Sequence, residues 1–145
     1  MTAERGVSTV VGYVLALAIT VALAGSLIAA TGGIVEDRRD ATARRGLEVV
    51  GERLAAKLMA ADRLAATGAD TVAVDADLPA TVAGTGYTVS VNDSKTDPHL
   101  RLVSAGAGTE VRVDFANRTD VAATSVVGGD VTVVLAGGDL EVRSR

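Results

Sequence analysis

The sequence contains no cysteine and no tryptophan. Without thiols there is no disulfide framework and no thiolate metal site. Only three aromatic side chains are present, Tyr13, Tyr87 and Phe115. That removes the stacking platforms that single-stranded nucleic acid needs, and the acidic balance of the C-terminal half removes the phosphate attraction. There is one histidine, His99, beside Pro98 at a strand end, where a solvated side chain is expected. No nucleophile, base and orienting group can be read around it, so no catalytic residue is assigned and the chain is read as non-enzymatic. Asp75, Asp77, Asp93 and Asp97 do not continue into a calcium loop, and no glycine-rich turn joins a strand to a helix. No metal or cofactor is expected. Lysine is scarce, with Lys57 and Lys95 against 12 arginines, and from Gly6 to Val35 no residue is charged.

That uncharged run is the first feature present. It covers 30 positions, whereas about 20 helical residues cross the hydrocarbon of a bilayer. A secretory signal has an apolar core of about 7 to 15 residues behind a basic start. Here the core is about twice too long and the basic start is Arg5 alone. The next stretch, from Glu36, is charged and carries apolar residues at three- and four-residue steps: Leu47, Val50, Leu54, Leu58, Ala61 and Leu64. They predict one stripe of an amphipathic helix, with Gly68 as its stop. No proline interrupts the way, so one continuous or gently kinked helix is expected from about Val7 to about Ala66.

From Thr71 the period changes to two. Tyr87–Val91, His99–Val103 and Glu110–Phe115 alternate, and "DVTVVL" and "DLEVR" flank a hairpin turn at Ala136–Gly138. Thr71–Asp75 is a candidate first strand. The expected fold class is α+β: a long hydrophobic-then-amphipathic helix packed on a small antiparallel sheet domain. Its segments are 1–6, 7–35, 36–68 and 69–145.

Within the apolar run small residues recur at Ala18, Ala22, Ser26 and Ala30, with Gly25 and Ala29 near the same face. In lipid, helices associate where small residues let backbones approach. The stretch "RGVSTVVGYVLALAITVAL" resembles the N-terminus of archaeal type IV pilins, especially those of halophiles, in which Arg or Lys, then Gly or Ala, runs directly into a Val/Ile/Leu-rich helix. The resemblance covers about 30 residues, and the helix-plus-sheet layout extends it over the chain. It implies a prepilin-type leader, Arg5 and Gly6 before the cut and Val7 after it, recognised by a prepilin peptidase. It further implies a helix held in membrane lipid until it packs with other pilin subunits in a filament, with the C-terminal domain outside the cell. Val11 stands where bacterial pilins place a glutamate, so the bacterial type is disfavoured. The alternative from a different class is a single-span, membrane-anchored surface domain that binds a partner without polymerising.

Three further signals bear on this. Twelve of the 18 acidic residues are aspartate, a composition that resembles proteins of halophilic archaea. The only two asparagines, Asn92 and Asn117, both open glycosylation sequons, "NDS" and "NRT". Against the pilin orientation, Arg38, Arg39, Arg44 and Arg45 follow the run while Arg5 alone precedes it, and a count of basic residues predicts the C-terminal domain inside.

Overall fold

The computed structural model describes residues 2–93, 96–106 and 108–145; within the first helix the side chains of residues 2–8, Thr31 and Ile34 lie outside that description. The elements are α1 (Thr2–Ala66), β1 (Ala73–Ala76), β2 (Thr81–Val82), β3 (Thr85–Asn92), β4 (His99–Ser104), β5 (Glu110–Asp114), β6 (Thr124–Val127), β7 (Val131–Ala136) and β8 (Asp139–Ser144). The α+β class is as expected: a long N-terminal helix with antiparallel sheets. The chain divides into two compact units, Met1–Arg38 and Arg39–Arg145.

The second unit has two sheets rather than one. The first runs β1-β7-β8; the second runs β2-β3-β4-β5, with β6 also pairing β3. β7 and β8 form the expected hairpin, with Ala136 opposite Asp139. Gly137 and Gly138 both have positive φ, 66° and 101°, the conformation that a two-residue turn between twisted strands demands and that glycine adopts without strain. β2 and β6 carried no readable signal: two and four residues are too short to show a period. β1 starts two residues later than the alternation suggested, although Val72 is buried and its carbonyl accepts from Leu135. The chain at Asp120–Ala122 adds to the free edge of β8, through Leu140 N–H to Asp120 O and Ala122 N–H to Leu140 O, each 2.8 Å.

The core joins the amphipathic part of α1 to both sheets. Leu47, Val50, Leu54, Ala55, Leu58 and Ala61 meet Tyr87, Val89, Leu100 and Leu102 from one sheet and Val131, Val133, Leu140 and Val142 from the other. Full burial of one such aliphatic side chain stabilises by about 1.5–3 kcal/mol. Leu64 does not join them; it is 48% exposed. At 3.6 residues per turn Leu64 lies about 100° round the helix from Leu47, and the stripe passes instead through Asp62 and Ala65. Gly46 and Gly51 mark close approaches of helix and sheet: a Cβ at Gly46 would run into a Val82 methyl, and one at Gly51 would lie 2.6 Å from a Val113 methyl and 2.9 Å from a Leu102 methyl.

Candidate functional site

The apolar part of α1 presents its side chains outward. Every described side chain from Thr9 to Val35 is exposed, including Leu17, Leu23, Leu27 and Ile28. This is a helix long and apolar enough to cross a membrane, near the N-terminus of the chain. Two of its hydroxyls are satisfied within the helix. Thr20 Oγ1 donates to Ala16 O and Ser26 Oγ to Leu23 O, both at 2.8 Å. Such i−4 and i−3 bonds let hydroxyls sit in hydrocarbon without an outside partner. Ala18, Ala22, Gly25, Ser26, Ala29 and Ala30 share an arc of about 140° at 3.6 residues per turn. A Cβ at Gly12, Gly25, Gly32 or Gly33 would meet nothing within 4 Å. Each interior glycine costs a helix about 1 kcal/mol against alanine, and the described neighbours supply no steric reason for any of these four. At Arg5, Gly6 and Val7 the backbone is helical, while their side chains lie outside the description.

The two sequons differ. Asn92 is exposed at the end of β3, with Nδ2 3.5 Å from His99 Nε2; its Ser94 lies outside the described residues. Asn117 is half-buried, and its Nδ2 donates to Thr119 O at 2.7 Å, which ties the acceptor nitrogen into its own turn. His99 is not the solvated residue expected. Its side chain is 14% exposed, because strand pairing sets it between Asn92 and Asp114 and its Nδ1 lies 2.8 Å from Asp97 O.

Asp62 is a residue that sequence reading passed over. It is 6% exposed and accepts the backbone N–H groups of Arg118 and Thr119 at 3.0 and 2.7 Å. Burial pushes its pKa up, but the Thr119 and Arg118 backbone bonds, the Thr119 hydroxyl and the Arg118 charge together leave it below the ordinary aspartate value. The signal was present: Asp62 stands four residues after Leu58, the one charge on the apolar stripe. It fastens α1 to the turn that carries Asn117.

The outer face of the second sheet is an ion-pair ladder. Arg101 faces Arg112 across β4 and β5, a like-charge pairing relieved on both sides. Arg101 forks onto Glu110 at 2.6 and 2.7 Å, holding that carboxyl below its usual range. Arg112 pairs with Asp114 at 2.9 Å and with Asp97. β5 is an edge strand, and charges along it discourage strand addition by other chains. An open groove of about 480 Å³ lies between α1 and the β2 region, its ionisable lining being Arg45 and Arg53. Among the described residues no group of three or more His, Asp or Glu is arranged to hold a metal ion.

The model of a family of unknown function, DUF7266, matches residues 2–145. The chain belongs to DUF7266. No curated protein and no solved structure matches it. The DUF7266 match takes in the apolar segment together with the sheets, so the outward-facing helix is part of the family's architecture and not an appendage to it.

Proposed function

We propose that this chain is a structural subunit, minor or accessory, of a surface filament of the archaeal type IV pilus kind. The observation that carries the reading is the apolar helix whose described side chains all face outward, joined to a folded domain with a charged outer surface. A surface of that kind needs lipid or other helices against it. The four glycines without a steric reason inside the chain support helices as the eventual neighbours. In this reading a prepilin peptidase cuts after Gly6, the helix rests in membrane lipid, and it then packs with other subunits through the face containing Ala22 and Ser26. The sheet domain is extracellular, in a halophile, and carries glycan at Asn92 and Asn117. The role is mechanical rather than catalytic, and nucleic acid is not a partner.

The test is mass spectrometry of the N-terminal peptide, from protein recovered in membrane and surface-sheared fractions of the native host. A mature chain beginning at Val7 in the sheared fraction is expected. An uncut leader, found only in membranes, would instead support the stationary anchor with a binding domain. An uncut leader would also restore force to the arginines at 38, 39, 44 and 45, which on a count of basic residues place the domain inside. Ala22→Leu or Ser26→Leu is expected to abolish incorporation into sheared filaments while membrane insertion persists; assembly unchanged in both would remove the packing role of that face.

A further inference from the structure

The uncharged run is longer than the hydrocarbon it crosses. Its 30 residues make about 45 Å of helix, against about 30 Å of hydrocarbon. Immersing all of it needs a tilt of about 50°, outside the 0–40° over which spanning helices are found. One end therefore stands outside the hydrocarbon, and side-chain chemistry says which. The hydroxyls of Thr20 and Ser26 are satisfied by their own helix and sit at any depth. Tyr13 is different. It is 71% exposed, and its hydroxyl lies at the far end of a rigid ring, beyond reach of the carbonyls of its own turn. It needs water or a headgroup, while its ring suits the apolar side of the boundary. From Val14 to Val35 there are 22 residues, about 33 Å of helix, and the next residue, Glu36, is charged. Two landmarks of unrelated chemistry thus frame a stretch that matches the hydrocarbon thickness.

We propose that Tyr13 sets the depth of the helix in the bilayer. Its hydroxyl lies at the headgroup boundary, Val14–Val35 fills the hydrocarbon, and Gly6–Gly12 stands outside it. The bond after Gly6 then lies about 10 Å clear of the hydrocarbon, where water and a peptidase reach it. This rests on the membrane-spanning part of the reading above and not on cleavage or filament assembly.

The absence of cysteine makes thiol mapping unambiguous. Val10→Cys, Val21→Cys and Ala30→Cys, each alone in the full chain, are placed in phosphatidylcholine vesicles and treated with N-ethylmaleimide. The reagent crosses bilayers but reacts with thiolate, which exists only in water. Val10→Cys is expected to react at least about tenfold faster than Val21→Cys, because a thiol in hydrocarbon does not ionise. Ala30→Cys is expected to be as slow as Val21→Cys. Adding Tyr13→Leu is expected to slow Val10→Cys by about threefold as the freed helix slides inward. A slow Val10→Cys with a fast Ala30→Cys would establish the opposite register, and slow reaction at all three would establish full immersion; either overturns the proposal. An unchanged Val10→Cys rate with Tyr13→Leu would remove the role of Tyr13. Fast reaction at all three would remove the membrane span itself.

Discussion

One helix, α1, runs through two chemical regimes. From Thr9 to Val35 its described side chains are almost all apolar and all exposed; from Arg39 to Ala66 charged and apolar residues alternate by face, and the apolar face is buried. Backbone hydrogen bonding is the same in both. What differs is burial, and the difference locates the stability of the folded unit in the second part alone. Leu54→Ala is therefore expected to cost about 2–5 kcal/mol, since Leu54 is fully buried between two sheets and leaves a cavity. Leu17→Ala, in the exposed part, is expected to leave thermal unfolding of the detergent-solubilised chain within about 0.5 kcal/mol of wild type. A Leu17→Ala effect as large as that of Leu54→Ala would break the comparison.

Charge sharpens it. The apolar run contains no ionised group, whereas the buried stripe holds one, Asp62, because two backbone N–H groups meet it. Asp62→Ala strands those donors and is expected to cost about 2–3 kcal/mol. Asp62→Asn keeps an acceptor and is expected to cost about 1 kcal/mol. The folded-state pKa is depressed, so this carboxylate's contribution is complete above the ordinary aspartate pKa and is lost as pH falls below about 4. Chemical denaturation between pH 3 and pH 6 should show a shallower acid decline in Asp62→Asn than in wild type. Equal slopes would count against the assignment.

Glycine gives a third contrast. Gly51→Ala drives a methyl against Val113 and Leu102 and is expected to destabilise by about 1–3 kcal/mol. Gly25→Ala meets nothing within 4 Å and should leave the folded unit unchanged. Equal melting shifts for the two variants would contradict the close approach at Gly51.

Much of this is legible in the sequence. The uncharged run, the buried stripe and the long strands are periodic signals repeated over enough residues to stand out. The hairpin at Gly137–Gly138 was legible because the glycine pair stands between two strand-like stretches, "DVTVVL" and "DLEVR". What was not legible depends on distance in space. β2 and β6 exist because β3 offers them an edge, at Thr81–Val82 and Thr124–Val127. His99 is half-buried because pairing sets it beside Asn92 and Asp114. Asp62 has partners 56 and 57 residues away, which no local pattern encodes. The apolar part of α1 needed no long-range information, since all its described side chains are exposed. The roles proposed for Arg5, Gly6 and Val7 depend on another protein, which a single chain's fold does not contain.

The smallest expected effect concerns a turn. β2 and β3 join through Ala83 and Gly84, and Ala83 is the one non-glycine among the described residues with positive φ, at 50°. Val82 faces Thr85 across it, as Ala136 faces Asp139 across the glycine pair at the other hairpin. An alanine in this left-handed region crowds its Cβ against the following carbonyl; aspartate tolerates the region, and Asp-Gly is a favoured pair for such a turn. Ala83→Asp is expected to stabilise the folded unit by about 0.5–1 kcal/mol. The gain should appear as a melting point raised by a few degrees, with membrane insertion unchanged, because the turn belongs wholly to the water-facing part. A rise in melting point accompanied by altered insertion would show that the two regimes are energetically coupled through α1, and the separation drawn between them would fail at that joint.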